Sequence, residues 1–234
     1  MSETPAVETF EQDGYKVELF QDYDPQSPAE WDTFGTFVSF PSLSRHYDIG
    51  HRESTGAEDD AVERGGVALL ARYLRMTGAE IVFLRFEDYG SSGARLRVTG
   101  EDDKRVDGFI YADGEDIAKD FDGDRDKARA CLEAEADAWN QYVEGDVYGY
   151  SVTRPDGSTP EDGSLWSIYG FEYAKTEAQS ALADAIDYDN SPEGKREHLE
   201  RVNHRLGLAQ AEVDRIAVEY RAALFAVEGS KGGV

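Results

Sequence analysis

The sequence predicts an α+β fold: an antiparallel or mixed sheet packed with helices, followed by a C-terminal helical hairpin. Segments with period-two alternation come in clusters, where a doubly wound sheet would interleave them singly with helices. Elsewhere apolar residues recur at spacings of three and four, the helical signature. The charge also changes abruptly near residue 190, with 42 acidic and 17 basic side chains before it and seven of each after it. These features divide the chain into an acidic α+β domain (1–190), a helical hairpin (191–228) and a tail (229–234) of small and polar residues expected to be disordered.

Tyr15, Val17 and Leu19 alternate as a first strand, and Asp24, Pro25, Ser27 and Pro28 then mark a turn. Gly35 to Phe40 reads as a second strand, and Pro41 to Ala57 as polar and irregular. From Asp59 to Met76, Val62, Val67, Leu70, Ala71 and Leu74 keep helical spacing, weakened early by Gly65 and Gly66. Ile81 to Phe86 is a short apolar run suited to a buried strand. Arg95 to Val98 and Gly108 to Tyr111 continue the sheet. Asp113 to Phe121 suits a short helix, and Asp124 to Val143 a longer one whose inner side carries Ala128, Cys131, Leu132, Glu135, Ala138, Trp139 and Tyr142.

Val147 to Thr153 and Leu165 to Tyr169 form a hairpin around turn formers between Arg154 and Gly163. A helix over Tyr173 to Ile186 follows, and Tyr188 to Gly194 reads as a linker. Beyond it Leu199, Val202 and Leu206 mark one helix face, and Val213, Ile216, Ala217, Tyr220 and Leu224 another. Gly207 between them is placed as the left-handed stop of a hairpin.

The formal net charge is −25 over 234 residues. Such a chain repels phosphate backbones and anionic membranes and attracts basic protein surfaces, so nucleic acid is a poor partner and a basic protein a good one. Seven Lys against 17 Arg, with abundant carboxylates, fits a halophilic surface; a GC-rich mesophilic source or selection for an acidic face would leave a similar composition. Hydrophobic residues at 40% supply a substantial core. One cysteine, Cys131, excludes an internal disulfide and suits a reducing interior. Met1 to Phe10 lacks the form of a secretory signal, and no apolar run reaches membrane-spanning length, so a cytoplasmic location is expected.

Trp31, Asp32, Phe34 and Gly35, then His46 to Gly50, then Gly108 to Tyr111, then Gly145 to Tyr150 and Ser164 to Gly170 resemble a family of uncharacterised phage and mobile-element proteins. The likeness spans roughly residues 31–185 and departs from that family at His51 and Ser167. It implies a mobile-element origin and no known reaction.

Asp122, Asp124, Asp126 and Glu133 stand at positions 1, 3, 5 and 12 of a calcium loop, but Lys127 replaces the glycine that the loop's turn needs. Helix capping by Asp124 accounts for the same residues. His46, Asp48 and His51 could form an acid-base or zinc site only with a further ligand from elsewhere. Cys131 lies on an apolar helix side, where thiols pack. No nucleophile elbow, phosphate loop or cofactor motif is present. Tyr148, Tyr150, Trp166, Tyr169, Phe171 and Tyr173 suit a sheet core, or alternatively a pocket. Leu206 to Val213 resembles the turn of a helix-turn-helix, with Arg201, Arg205, Arg215 and Arg221 near phosphates, although a neutral hairpin beside an acidic body is poorly equipped for DNA.

The expectation is a noncatalytic accessory protein of a virus or mobile element. It binds a basic host protein, in one version as a nucleic-acid mimic through the ribbon Asp113 to Glu135 with Asp122, Asp124, Asp126 and Glu133. The hairpin serves docking or homodimerisation, and Arg215 is its candidate binding residue if it meets DNA instead. An enzyme near His46, Asp48 and His51, and a DNA-binding regulator, are the alternatives.

Overall fold

The computed structural model describes residues 5–103 and 105–231, with side chains on the last helix through Glu219. The α+β class holds, with two separate sheets. One is four-stranded and antiparallel, in the order β1 (Glu8–Gln12), β2 (Tyr15–Gln21), β8 (Val147–Thr153), β9 (Ser164–Tyr169). The other is five-stranded and mixed, in the order β4 (Arg52–Glu53), β3 (Thr36–Ser39), β7 (Gly108–Ala112), β5 (Glu80–Asp88), β6 (Ala94–Thr99), with β3 and β4 parallel.

The five-stranded sheet is covered on both faces. Val82, Leu84 and Phe86 of β5 face Ala128, Leu132, Ala136 and Trp139 of α4 (Arg125–Glu144), with Ile117 of α3 (Gly114–Phe121) beside them. Ile81 and Phe83 face Val67, Leu70 and Ala71 of α2 (Gly56–Met76). A strand packed on both sides is apolar on both faces, which is why Ile81 to Leu84 reads as an unbroken run, ended by the half-buried Arg85. The smaller sheet has its own core, Val17, Leu19, Tyr150, Val152 and Ile168 against Ala174, Ala178, Leu182 and Ile186 of α5 (Phe171–Asn190).

Several expectations change. β1 precedes the first expected strand; Asp13 and Gly14, both at positive φ, make the tight turn that pairs it with β2. The segment 41–57 contains a short helix, α1 (Pro41–Ser44), and the β4 strand. Gly66, at φ 69°, breaks α2 outright. The expected linker at 188–194 is also absent, because α5 runs to Asn190 and α6 (Pro192–Lys231) starts after Ser191 alone. The Ser191 hydroxyl accepts from the Gly194 amide at 3.0 Å, and proline occupies the first helical position, so the new helix is capped at once.

The C-terminal hairpin is replaced by one continuous 40-residue helix. Gly207 stays helical: its penalty of about 1 kcal/mol is offset by helix formers on both sides, Leu206, Leu208, Ala209, Gln210 and Ala211. The helix continues past Gly229, where the tail was expected to begin, to Lys231; residues 232–234 lie outside the described residues. The side chains of Tyr220, Arg221 and Leu224 lie outside them as well. Among the described residues, no helix is long and apolar enough to cross a membrane.

Candidate functional site

A groove of about 810 Å³ lies between the β8–β9 connection, α5 and the first turns of α6. Tyr150, Arg154, Ala181 and Ala185 line its inner part. Glu161 and Asp162 come from the connection, Glu177, Asp184 and Tyr188 from α5, and Glu197 and Arg201 from α6. Five carboxylates therefore face two guanidinium groups, and one of these is already neutralised. Arg154, 8% exposed, donates from Nε and Nη2 to the Asp189 carboxylate at 2.6 and 3.0 Å. The Tyr15 hydroxyl donates to the same carboxylate at 2.9 Å.

The field in the groove is negative. Burial pushes the Tyr150 phenol up, and the Glu177 and Asp184 carboxylates add to the shift. Arg201 holds two buried nitrogens, Nε and Nη2, that have no hydrogen-bond acceptor among the described residues; Asp189 lies 4.0 Å from Nη2. An occupant that brings cations to the carboxylates fits this lining.

The residues expected to bind do not converge. Asp122 closes α3 in a left-handed conformation (φ 53°), and Asp124 caps α4 by accepting from the Lys127 amide at 3.2 Å, as expected of an N-cap. Asp126 is exposed in the first turn of α4. Glu133 lies further along α4, bridged to Arg129 at 3.0 Å. Among the described residues no group of three His, Cys, Asp or Glu side chains is placed to hold a metal. The ribbon is also interleaved with cations: Arg125 and Arg129 reach Glu80 at 3.4 and 3.3 Å, and Lys127 reaches Asp124 at 3.2 Å. Arg215 bridges Glu212 and Glu219 within α6 at 2.6 and 3.1 Å. The helix-turn-helix geometry is absent, because Leu206 to Val213 lies inside α6.

His46 and Asp48 are exposed, whereas His51 is held inside a backbone network. His51 Nδ1 accepts from the Phe37 amide at 2.7 Å, so the proton sits on Nε2, which lies 3.3 Å from Thr33 Oγ1. Its ring meets Trp139 edge-on at 5.7 Å. Nearby, the Glu135 carboxylate accepts from the Phe34 and Gly35 amides at 2.6 and 2.9 Å. A side chain at Gly35 would come within 2.5 Å of Ile110 and Leu132, so only glycine lets the loop close over α4. Burial pushes the Cys131 thiol up, with the nearby Glu135 carboxylate adding to the shift. The aromatic set divides: Tyr150 is buried, whereas Trp166 and Tyr173 are 51% and 60% exposed.

Burial holds the His51 imidazole below its ordinary value of 6.5, against a smaller opposite push from the Pro28 carbonyl. A folded-state value below the unfolded one gives stability that is complete above about pH 6.5 and is lost as pH falls through the folded value. His51→Gln is therefore expected to flatten the melting temperature between pH 7 and pH 5 relative to wild type. An equal slope in both proteins would contradict this.

Comparison with protein-family models, curated proteins and solved structures finds no match. The groove's residues come from segments with no common spacing pattern. The only cue in sequence was the clustering of Glu161 and Asp162 in a turn already marked by Pro160 and Gly163.

Proposed function

We propose that this protein acts by binding, and that the acidic groove between the β8–β9 connection, α5 and α6 receives a basic, extended segment of a partner protein. The lining of five carboxylates against two guanidinium groups, Arg154 bound to Asp189 and Arg201 within 3.9 Å of Glu197 and 4.0 Å of Asp189, carries this reading. Lysine or arginine side chains of the partner meet Glu161, Asp162, Glu177, Asp184 and Glu197. The sequence resemblance suggests an accessory role in a virus or mobile element as the setting. The α3–α4 ribbon supports a phosphate-mimicking role less well, because Arg125, Lys127 and Arg129 break its run of negative charge.

The test is titration of a fluorescent arginine-rich nonapeptide. Because a chain of net charge −25 attracts any polycation, two variants are compared. Neutralising Glu161, Asp162, Glu177 and Asp184 to their amides is expected to weaken binding more than tenfold, and neutralising Asp122, Asp124 and Asp126 to change it less than threefold. Binding in the parent weakens steeply with salt. Equal losses in the two variants, or a greater loss from the ribbon, would overturn the groove reading.

A further inference from the structure

The 40 residues of α6 extend about 60 Å. Its first turns lie against α5, but residues 203–219 are exposed on every side. Along this length Leu199, Val202, Leu206, Ala209, Val213 and Ile216 follow one another at alternating steps of three and four, and the residue types continue the pattern at Tyr220 and Ala223. Leu199, Leu206, Val213 and Ile216 are between 53% and 62% exposed. Leu208 and Val218 lie off this seam. A strict 3.5-residue repeat over three to four heptads stays on one face only when the helix winds around another, so the seam is shaped for a helical partner.

We propose that α6 pairs with α6 of a second copy of this chain as an antiparallel, two-stranded coiled coil. The flanking charges select this arrangement. His198, Arg205, Glu212 and Glu219 precede the first apolar position of each heptad, and Asn203, Gln210 and Ala217 follow the second. In a parallel pair the first set faces the second, so Arg205 meets Gln210 and Glu212 meets Ala217, with no opposite charges matched. In an antiparallel pair the first set faces itself.

One register then matches the members of the first set. Leu199 stacks on Ile216 of the second copy, Val202 on Val213 and Leu206 on Ala209, which sets Arg205 opposite Glu212 and His198 opposite Glu219. A slip of one heptad in either direction opposes Arg205 to Arg205 or Glu212 to Glu212. The chosen register overlaps residues 192–223 over about 48 Å and covers roughly 1,000 Å² in total, at the lower end for a specific interface. It also places the two acidic bodies at opposite ends of the coil.

In the single chain Glu212 and Glu219 are bridged by Arg215, and Arg205 reaches Asp156 at 3.0 Å. Such exposed pairs are weak, so apolar burial drives association and the charges choose its direction. This inference is independent of the groove reading and has the opposite salt dependence: screening relieves repulsion between the two bodies, so the dimer tightens as salt rises.

The full chain is examined by sedimentation over a range of concentrations at low and molar KCl. The expected result is a dimer, twice 26.0 kDa, that is favoured by salt and lost in Leu206→Glu with Val213→Glu. Both positions are exposed in the single chain, so the near-UV circular dichroism of the body and its nonapeptide binding stay at parent values. A nitroxide at Val218→Cys, in a Cys131→Ser background, is expected about 30–35 Å from its copy, set by the 21-residue offset. A parent that stays monomeric, a dimer that survives the glutamate substitutions, or a label separation below about 20 Å would each overturn the proposal.

Discussion

Asp189→Asn is expected to lower the unfolding free energy by about 3–5 kcal/mol, read as a shift in the urea midpoint at constant m. Asp189 lies in the last turn of α5, Arg154 follows β8 at the start of the β8–β9 connection, and Tyr15 opens β2; one carboxylate holds all three. Both charged side chains are close to fully buried, at 8% and 11% exposure. An amide leaves the Arg154 guanidinium uncompensated in a site where water cannot replace the lost charge, and the penalty is that of a stranded ion.

Burial alone would raise the Asp189 carboxyl, but the hydrogen bonds from Arg154 and Tyr15 outweigh it and hold the group below its ordinary 3.8. A depressed folded value means that the stabilisation is complete above about pH 4 and is lost as pH falls through the folded value. The gap between parent and variant should therefore close in acid. Replacing both partners, Arg154→Met with Asp189→Leu, should recover most of the loss, since a buried pair can give way to apolar packing at little cost. A single variant within 1 kcal/mol of the parent would show that the pair contributes little.

Trp139→Ala is expected to cost a further class of stability, about 3–5 kcal/mol. The indole is 1% exposed and meets Phe37, His51 and Tyr142 edge-on, with centroids at 5.1, 5.7 and 6.1 Å. Removing it opens a space between α4 and the five-stranded sheet that the paired strands cannot collapse to fill. Water admitted there should carry the His51 imidazole back toward its free value, which proton NMR of the ring reports. An unchanged His51 titration would mean that Trp139 does not keep that ring dry.

Much of the body was legible because its elements carry their own periods. β2, β3 and β5 to β9, and α3 to α5, follow from alternation or from three-and-four spacing, with ends misplaced by a few residues. β1 escaped because an exposed edge strand needs little apolar content; its signal was the Asp13–Gly14 turn. The supposed linker hid Asp189, whose partner stands 35 residues away. Gly207 illustrates the limit of local rules, since glycine serves equally as a helix stop and as a tolerated interior residue, and the surrounding residues decide between them.

Along the sequence the acidic ribbon is a run of carboxylates. Folding brings Glu80 of β5 beside Arg125 and Arg129 and so changes the balance there. The groove arises in the opposite way, from carboxylates that only the packing of α6 on α5 and the β8–β9 connection brings together. Hydrophobic periodicity acts within ten or twenty residues and so dictates elements and which of their faces are exposed, while composition alone sets the net charge. Which carboxylates keep a partner and which are left facing a groove depends on contacts across more than thirty residues, and a pattern read along the chain does not contain those distances.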